Sequence, residues 1–173
     1  MLRKSISYFI LFFINVLLLW YPINSSAIEL QSLSIKGFEK VMADKKEITL
    51  VFIFTSWCRV CKESFPELLS LSDKYNSDDR VKVIILSLDE KATNLDAMAK
   101  KYKNNKNKIH CFEEDITKKN IGSALFENGI RYNGTIPHIT IFNKGEAIVN
   151  DNYEIQSVKN FINHLYDQGI HGK

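Results

Sequence analysis

Ile48-Thr-Leu-Val-Phe-Ile-Phe-Thr-Ser-Trp-Cys-Arg-Val-Cys-Lys-Glu-Ser-Phe-Pro-Glu-Leu-Leu69 changes its hydrophobic period halfway along. Ile48 and Leu50 to Phe54 form a short apolar run, β-branched and aromatic, of the kind that fills a strand covered on both faces, so a parallel central strand is expected. After Thr55 and Ser56 the apolar positions Cys61, Phe65, Leu68 and Leu69, with Ser72, fall three to four residues apart, one face of a helix. Cys58 and Cys61 therefore open that helix. The first turn of a helix presents unsatisfied N–H groups and the positive end of the dipole, which favour a thiolate over a thiol. Cys58 is expected to be the attacking thiol. Cys61, one turn deeper and facing the sheet, can reach the Cys58 sulfur and close a short disulfide. Pro66 removes one hydrogen bond inside the helix and should kink it.

Outside this stretch the same alternation continues. Ile28–Leu33 is expected as an edge strand, Gly37–Asp44 as a short helix carrying Phe38, Val41 and Met42, and the active-site helix should run to about Tyr75. A second buried strand is expected at Val81–Leu88 and a helix at Ala92–Tyr102 with Leu95, Met98, Ala99 and Tyr102 inward. A short strand at Ile109–Phe112 and a helix at Ile116–Asn128, with Ile121, Ala124, Leu125 and Phe126 on its apolar face, come next, with Gly129 at its end. His138–Phe142 alternates, Asn143-Lys144-Gly145 reads as a hairpin turn, and Glu146–Val149 returns. Ile155–Gln168 closes the chain as a helix with Val158, Phe161, Ile162 and Leu165 inward. Strand and helix in turn make a parallel α/β sheet, ended by an antiparallel hairpin.

Trp57-Cys58-Arg59-Val60-Cys61 after a buried strand, with Pro66 in the helix and Gly129-Ile130-Arg131…Ile136-Pro137-His138-Ile139-Thr140-Ile141-Phe142 near the end, resembles the thioredoxin superfamily. The resemblance covers most of Ile28–Lys173. It implies an α/β fold with a central mixed sheet flanked by helices, a cis Ile136–Pro137 bond beside the disulfide, and an Ile136 backbone free to pair with an extended substrate. It also casts Trp57 as shield and contact residue. The span between Cys61 and Pro137 exceeds what a minimal thioredoxin needs, so an extra strand and helix are expected around Asn104–Asn128. With Cys-Lys-Glu-Ser-Phe-Pro-Glu-Leu after the motif, this is most similar to the TlpA/ResA-like branch of exported thiol–disulfide oxidoreductases. That branch implies disulfide-containing protein substrates, apocytochrome c among them, and a membrane thiol carrier as electron donor. No cofactor or metal is expected.

The sequence departs from the family in three places. Thioredoxins place a buried carboxylate six residues before the first cysteine, where this chain has Phe52. The branch usually has a glutamate three residues after the second cysteine, where Ser64 stands, with Glu63 about 100° away around the helix. The residues between the cysteines are Arg59 and Val60, and a guanidinium beside Cys58 should favour its thiolate. As a rival function, His138 with the two cysteines would make a Cys-Cys-His copper or zinc site, although copper-delivery relatives space their cysteines by three residues and a solvent-facing or core-edge histidine is the plainer expectation. The same dithiol would also serve an oxidase or isomerase.

At 173 residues, the chain suits one domain over 28–173. Arg3 and Lys4, an apolar stretch from Ile6 to Ile23 and the small residues before Ala27 read as a secretory signal peptide cut after Ala27, or as an uncleaved membrane anchor. Without residues 1–27, which carry those two cations and no acid, the net charge falls from +3 to +1. That excludes a nucleic-acid footprint, and Lys100–Lys108 reads as a solvated loop rather than a basic patch. An export signal would place the protein in the periplasm, soluble or tethered to the inner membrane, and a monomer is expected. Cys111, the odd thiol, reads as a buried strand residue.

Overall fold

The computed structural model describes residues 28–91, 93–102 and 106–171. Residues 1–27, where the signal segment is expected, and 103–105 of the expected basic loop lie outside them. Six strands form one sheet: β1 (Glu29–Leu33), β2 (Ile48–Phe54), β3 (Val81–Ser87), β4 (Lys108–Phe112), β5 (His138–Asn143) and β6 (Glu146–Asp151). Their order across the sheet is β1-β4-β3-β2-β5-β6. β1, β4, β3 and β2 run parallel, and β5 and β6 are antiparallel to their neighbours. The helices are α1 (Ile35–Ala43), α2 (Arg59–Tyr75), α3 (Thr93–Lys101), α4 (Lys118–Glu127) and α5 (Ile155–His171). This is a mixed, helix-flanked thioredoxin-like sheet, and β4 and α4 are the strand and helix expected around 104–128.

β2 is buried along its whole length, as a central parallel strand must be when helices cover both faces. Leu50, Phe52 and Phe54 meet Cys61, Phe65 and Leu68 of α2, Leu95 and Met98 of α3, and Val158 and Ile162 of α5. Val51 and Ile53 face the other way, toward Phe38 and Met42 of α1 and Leu125 of α4. The strand's alternation thus serves two cores. Cys111 lies on the first face, 1% exposed, beside Ser32.

Local chemistry sets the boundaries. Ser34 caps α1 by accepting the Gly37 N–H at 3.1 Å, and Thr117 caps α4 by accepting the Asn120 N–H at 3.2 Å. The Thr117 cap starts α4 two residues later than the apolar pattern suggests. Gly129 follows α4 at φ +84°, and Lys144 and Gly145 turn the β5–β6 hairpin at φ +52° and +87°, the paired positive values of a tight hairpin turn.

Three expectations about exposure are corrected. Phe126 is 72% exposed, because α4 turns Ala124 and Leu125 to the core and a residue one further along points about 100° away. Phe161 is 36% exposed, since it lines an open apolar hollow with Ile141, Val149, Tyr153 and Val158. The alternating β5 lies between β2 and β6 with both faces covered. His138, expected at the solvent or the core edge, is consequently fully buried.

Candidate active site

β2 ends at Phe54, and four residues later the chain enters α2. Cys58 is the N-cap of that helix: its Sγ accepts the backbone N–H of Cys61 at 3.1 Å, and its own N–H donates to the Thr55 carbonyl at 3.2 Å. A sulfur in the N-cap position receives the N–H groups that the first turn leaves without partners, and it sits at the positive end of the dipole. Cys58 and Cys61 are joined as a disulfide with their Cα atoms 5.3 Å apart. Cys61 has no exposed surface and Cys58 keeps 7%. Access to the pair is therefore through Cys58. When reduced, Cys58 should alkylate with a pH midpoint below the roughly 8.5 of a free thiol. Iodoacetamide rates against pH check this, and a midpoint at or above that value would contradict it.

The loop before Cys58 is held by a residue to which the sequence reading assigned no role. Asp89, 7% exposed just beyond β3, accepts the Ser56 N–H at 2.7 Å, the Ser56 hydroxyl at 2.8 Å and the Ser87 hydroxyl at 2.7 Å. A buried carboxylate with three donors is a strong anchor, and it fastens the Thr55–Cys58 turn to the neighbouring strand. Next to it, Glu90 pairs with Lys118 of α4 at 2.8 Å, tying that helix to the same loop.

Ile136–Pro137 is cis. His138 is paired with Ile53, so the register of β5 on β2 brings the cis bond to the end of β2, where the turn into the cysteines begins. Pro137 is buried and Ile136 half-buried. Trp57 is 69% exposed and Val60 56%, leaving an apolar rim around the disulfide. Thr55, Trp57, Leu88, Leu125, Tyr132 and Ile136 share the walls of one cleft of about 300 Å³.

The remaining positions are accounted for as follows. Arg59 extends into solvent with its side chain 89% exposed, and its Nε donates to Glu63 Oε1 at 2.9 Å. Glu63 thus pairs along the outer face of α2. Ser64 Oγ donates to the Val60 carbonyl at 3.0 Å. Phe52, at the family's carboxylate position, is fully buried beside Phe54. His138 lies on the sheet face away from Cys61, with its ring edge-on to Tyr132 at 5.4 Å and its Nε2 3.1 Å from Asn150 Oδ1. Among the described residues no group of three His, Cys, Asp or Glu is placed to hold a metal.

Burial pushes the pKa of His138 below the ordinary value, against the hydrogen bond to Asn150, and burial does the same to His110, helped by Lys82 and Lys108. Each ring holds a proton less readily in the fold than in the unfolded chain, where it takes one below about pH 6.5. Between the folded and unfolded pKa values, the unfolded state binds more protons, so stability falls as pH drops below about 6.5 and is flat above it. Urea midpoints at pH 5 and 7.5 should show this loss, and His138→Gln should shrink it.

A family model described as thioredoxin-like matches residues 45–148. No curated protein matches the chain at a significant level. Among solved structures, the thioredoxin domain of a thiol-disulfide oxidoreductase from Bacteroides vulgatus superposes with a TM-score of 0.52 at 17% identity, covering 70% of this chain and 81% of that one. A thioredoxin-family thiol:disulfide interchange protein from Chlorobium tepidum gives 0.53 at 14%, covering 82% and 98%. A DsbF homologue from Corynebacterium diphtheriae gives 0.51 at 16%, covering 71% and 75%. At these identities the likeness is one of fold.

Proposed function

The chain belongs to the thioredoxin-like family, and from that premise we propose that it is an exported thiol–disulfide oxidoreductase that reduces disulfides in other proteins. The observation that carries this reading is the bonded Cys58–Cys61 pair, with the Cys58 sulfur in the N-cap of α2 accepting the Cys61 N–H. In the reduced protein the Cys58 thiolate attacks one sulfur of a substrate disulfide. A Cys58–substrate bond forms, and the other substrate sulfur leaves as a thiolate and takes a proton. Cys61, once deprotonated, attacks the Cys58 sulfur, closes the Cys58–Cys61 bond and releases the second substrate thiol. Two electrons pass from the dithiol to the substrate, and a dithiol donor must return them.

Trp57, Ile136 and Pro137 are assigned to substrate binding, with the Ile136 backbone pairing an extended segment. Arg59 is assigned to thiolate tuning, a contribution reduced by solvent and by its pairing with Glu63. The signal-like residues 1–27 and the TlpA/ResA-like motifs support export to the periplasm, a membrane thiol carrier as donor, action as a monomer, and apocytochrome c as one substrate class. No helix among the described residues is long and apolar enough to cross a membrane. The same site would serve an oxidase or isomerase if its partner ran electrons the other way.

Insulin reduction tests the reading: the wild type should accelerate B-chain precipitation in the presence of a dithiol, and Cys58→Ser should give only the background rate. Equal rates for the two would reject it. Export is tested by the mass of the protein recovered from its host, which should begin at Ile28.

A further inference from the structure

Helix α4 supplies one wall of the cleft beside the disulfide, through Lys118, Ile121, Gly122 and Leu125. Gly122 is unexpected there. It sits in the middle of a ten-residue helix, where glycine is the poorest former after proline. None of the usual reasons for a glycine applies: its φ is not positive, and a Cβ built on it meets nothing within 4 Å. A methyl group would fit without moving a neighbour, and Gly122 lines the cleft, so a side chain there would grow into it. The opposite walls are Trp57 and Ile136, the immediate neighbours of Cys58 and Pro137. A segment that pairs with Ile136 while presenting a disulfide to Cys58 would run beside this opening.

We propose that Gly122 keeps the cleft open for one large apolar side chain, carried by a residue flanking the cysteine under attack, so that α4 selects among disulfide substrates. The proposal rests on the redox reading above and names its substrate class: polypeptides with an aromatic or leucine-sized residue next to the target cysteine. A cleft of about 300 Å³ is at the small end for a ligand site and suits a single side chain. Leu88, Ile121 and Leu125 line it with apolar surface. The charge on its rim, Lys118, is already paired with Glu90, so the cleft has no free cation to favour an acidic side chain.

The test uses pre-reduced protein in single turnover against peptides whose cysteine is disulfide-bonded to a common small thiol, with Phe, Leu or Ala placed before or after that cysteine. Second-order rate constants for Phe and Leu should exceed that for Ala by about tenfold or more on one of the two sides, from burial of a large apolar side chain. In Gly122→Leu the ratio should fall to about one. Gly122→Ala should lie between. A ratio cancels the concentration of active protein, so partial unfolding of a variant does not imitate the result. A wild-type ratio within twofold on both sides, or a ratio that survives Gly122→Leu, would overturn the proposal while leaving the redox reading intact. If the wild type reacted with none of the peptides, Ala included, the redox reading would fail and this one with it.

Discussion

Cys61→Ser is expected to turn the protein into a trap. The variant should form a mixed disulfide through Cys58 and hold it, with turnover down by at least about 100-fold, because escape then waits for an external thiol. Its sulfur is the only one placed to displace the substrate: Cys61 is bonded to Cys58 and fully buried beneath it. Cys58→Ser should behave differently and form no adduct, since the remaining sulfur is out of a protein substrate's reach. Non-reducing gels and intact mass after incubation with a disulfide protein separate the two variants. Adducts in Cys58→Ser but not in Cys61→Ser would reverse the assigned roles.

The second large effect is expected at Asp89. Its carboxylate accepts three hydrogen bonds in a nearly dry position, and truncation leaves the Ser56 N–H and two hydroxyls without their acceptor. Unsatisfied buried groups and lost charge-assisted bonds cost about 1–3 kcal/mol each before relaxation. Asp89→Ala should therefore lower stability by roughly 2–4 kcal/mol in urea melts, with some loss recovered as hydroxyls rotate and water enters. Asp89→Asn should cost less, because its carbonyl still accepts one bond while its NH₂ group faces donors. Because Ser56 is two residues from Cys58, both variants should also slow Cys58 alkylation at fixed pH. A change of less than about 0.5 kcal/mol in Asp89→Ala, the range of ordinary surface substitutions, would show that the turn is fixed by other contacts.

These two sites were not equally legible in the sequence. The cysteines stand where the period changes from a continuous apolar run to a helical stripe, and that change alone placed them at a helix mouth. The cis bond came from the family resemblance, since a proline opening a strand is ordinary by itself. Asp89 carried no local signal. It is one acid after a strand, and its partner Ser56 lies 33 residues away, a relation that only the β2–β3 pairing creates. Gly122 was silent for a related reason: a glycine in a helical pattern looks like a weak helix position until the cleft beside it is seen.

The misjudged exposures have one origin. Periodicity tells which residues share a face, and the neighbours decide what covers it. Alternation in His138–Phe142 fits an edge strand and an interior one equally, and the placement of β6 outside β5 decided for the interior. There Asn150 Oδ1 accepts the Thr140 hydroxyl at 2.9 Å and the Arg131 N–H at 3.0 Å and lies 3.1 Å from His138 Nε2, while His138 Nδ1 is buried with no hydrogen-bond partner among the described residues. In α4 and α5 the apolar stripe was drawn one residue too wide, at Phe126 and Phe161. The family's carboxylate positions are filled by Phe52 in the core and Ser64 bonded to its own helix, so the Cys61 proton must leave by a route other than either of these.

Equilibration of the protein in glutathione buffers of graded potential, with free thiols trapped and weighed at each step, reads the Cys58–Cys61 couple itself. A reversible pair should lose and regain both thiols together in a single transition, about 30 mV for each tenfold change in the ratio of the two forms. Separate glutathione adducts on the two cysteines, or a disulfide that neither opens nor re-forms across the range, would contradict a working dithiol at the mouth of α2.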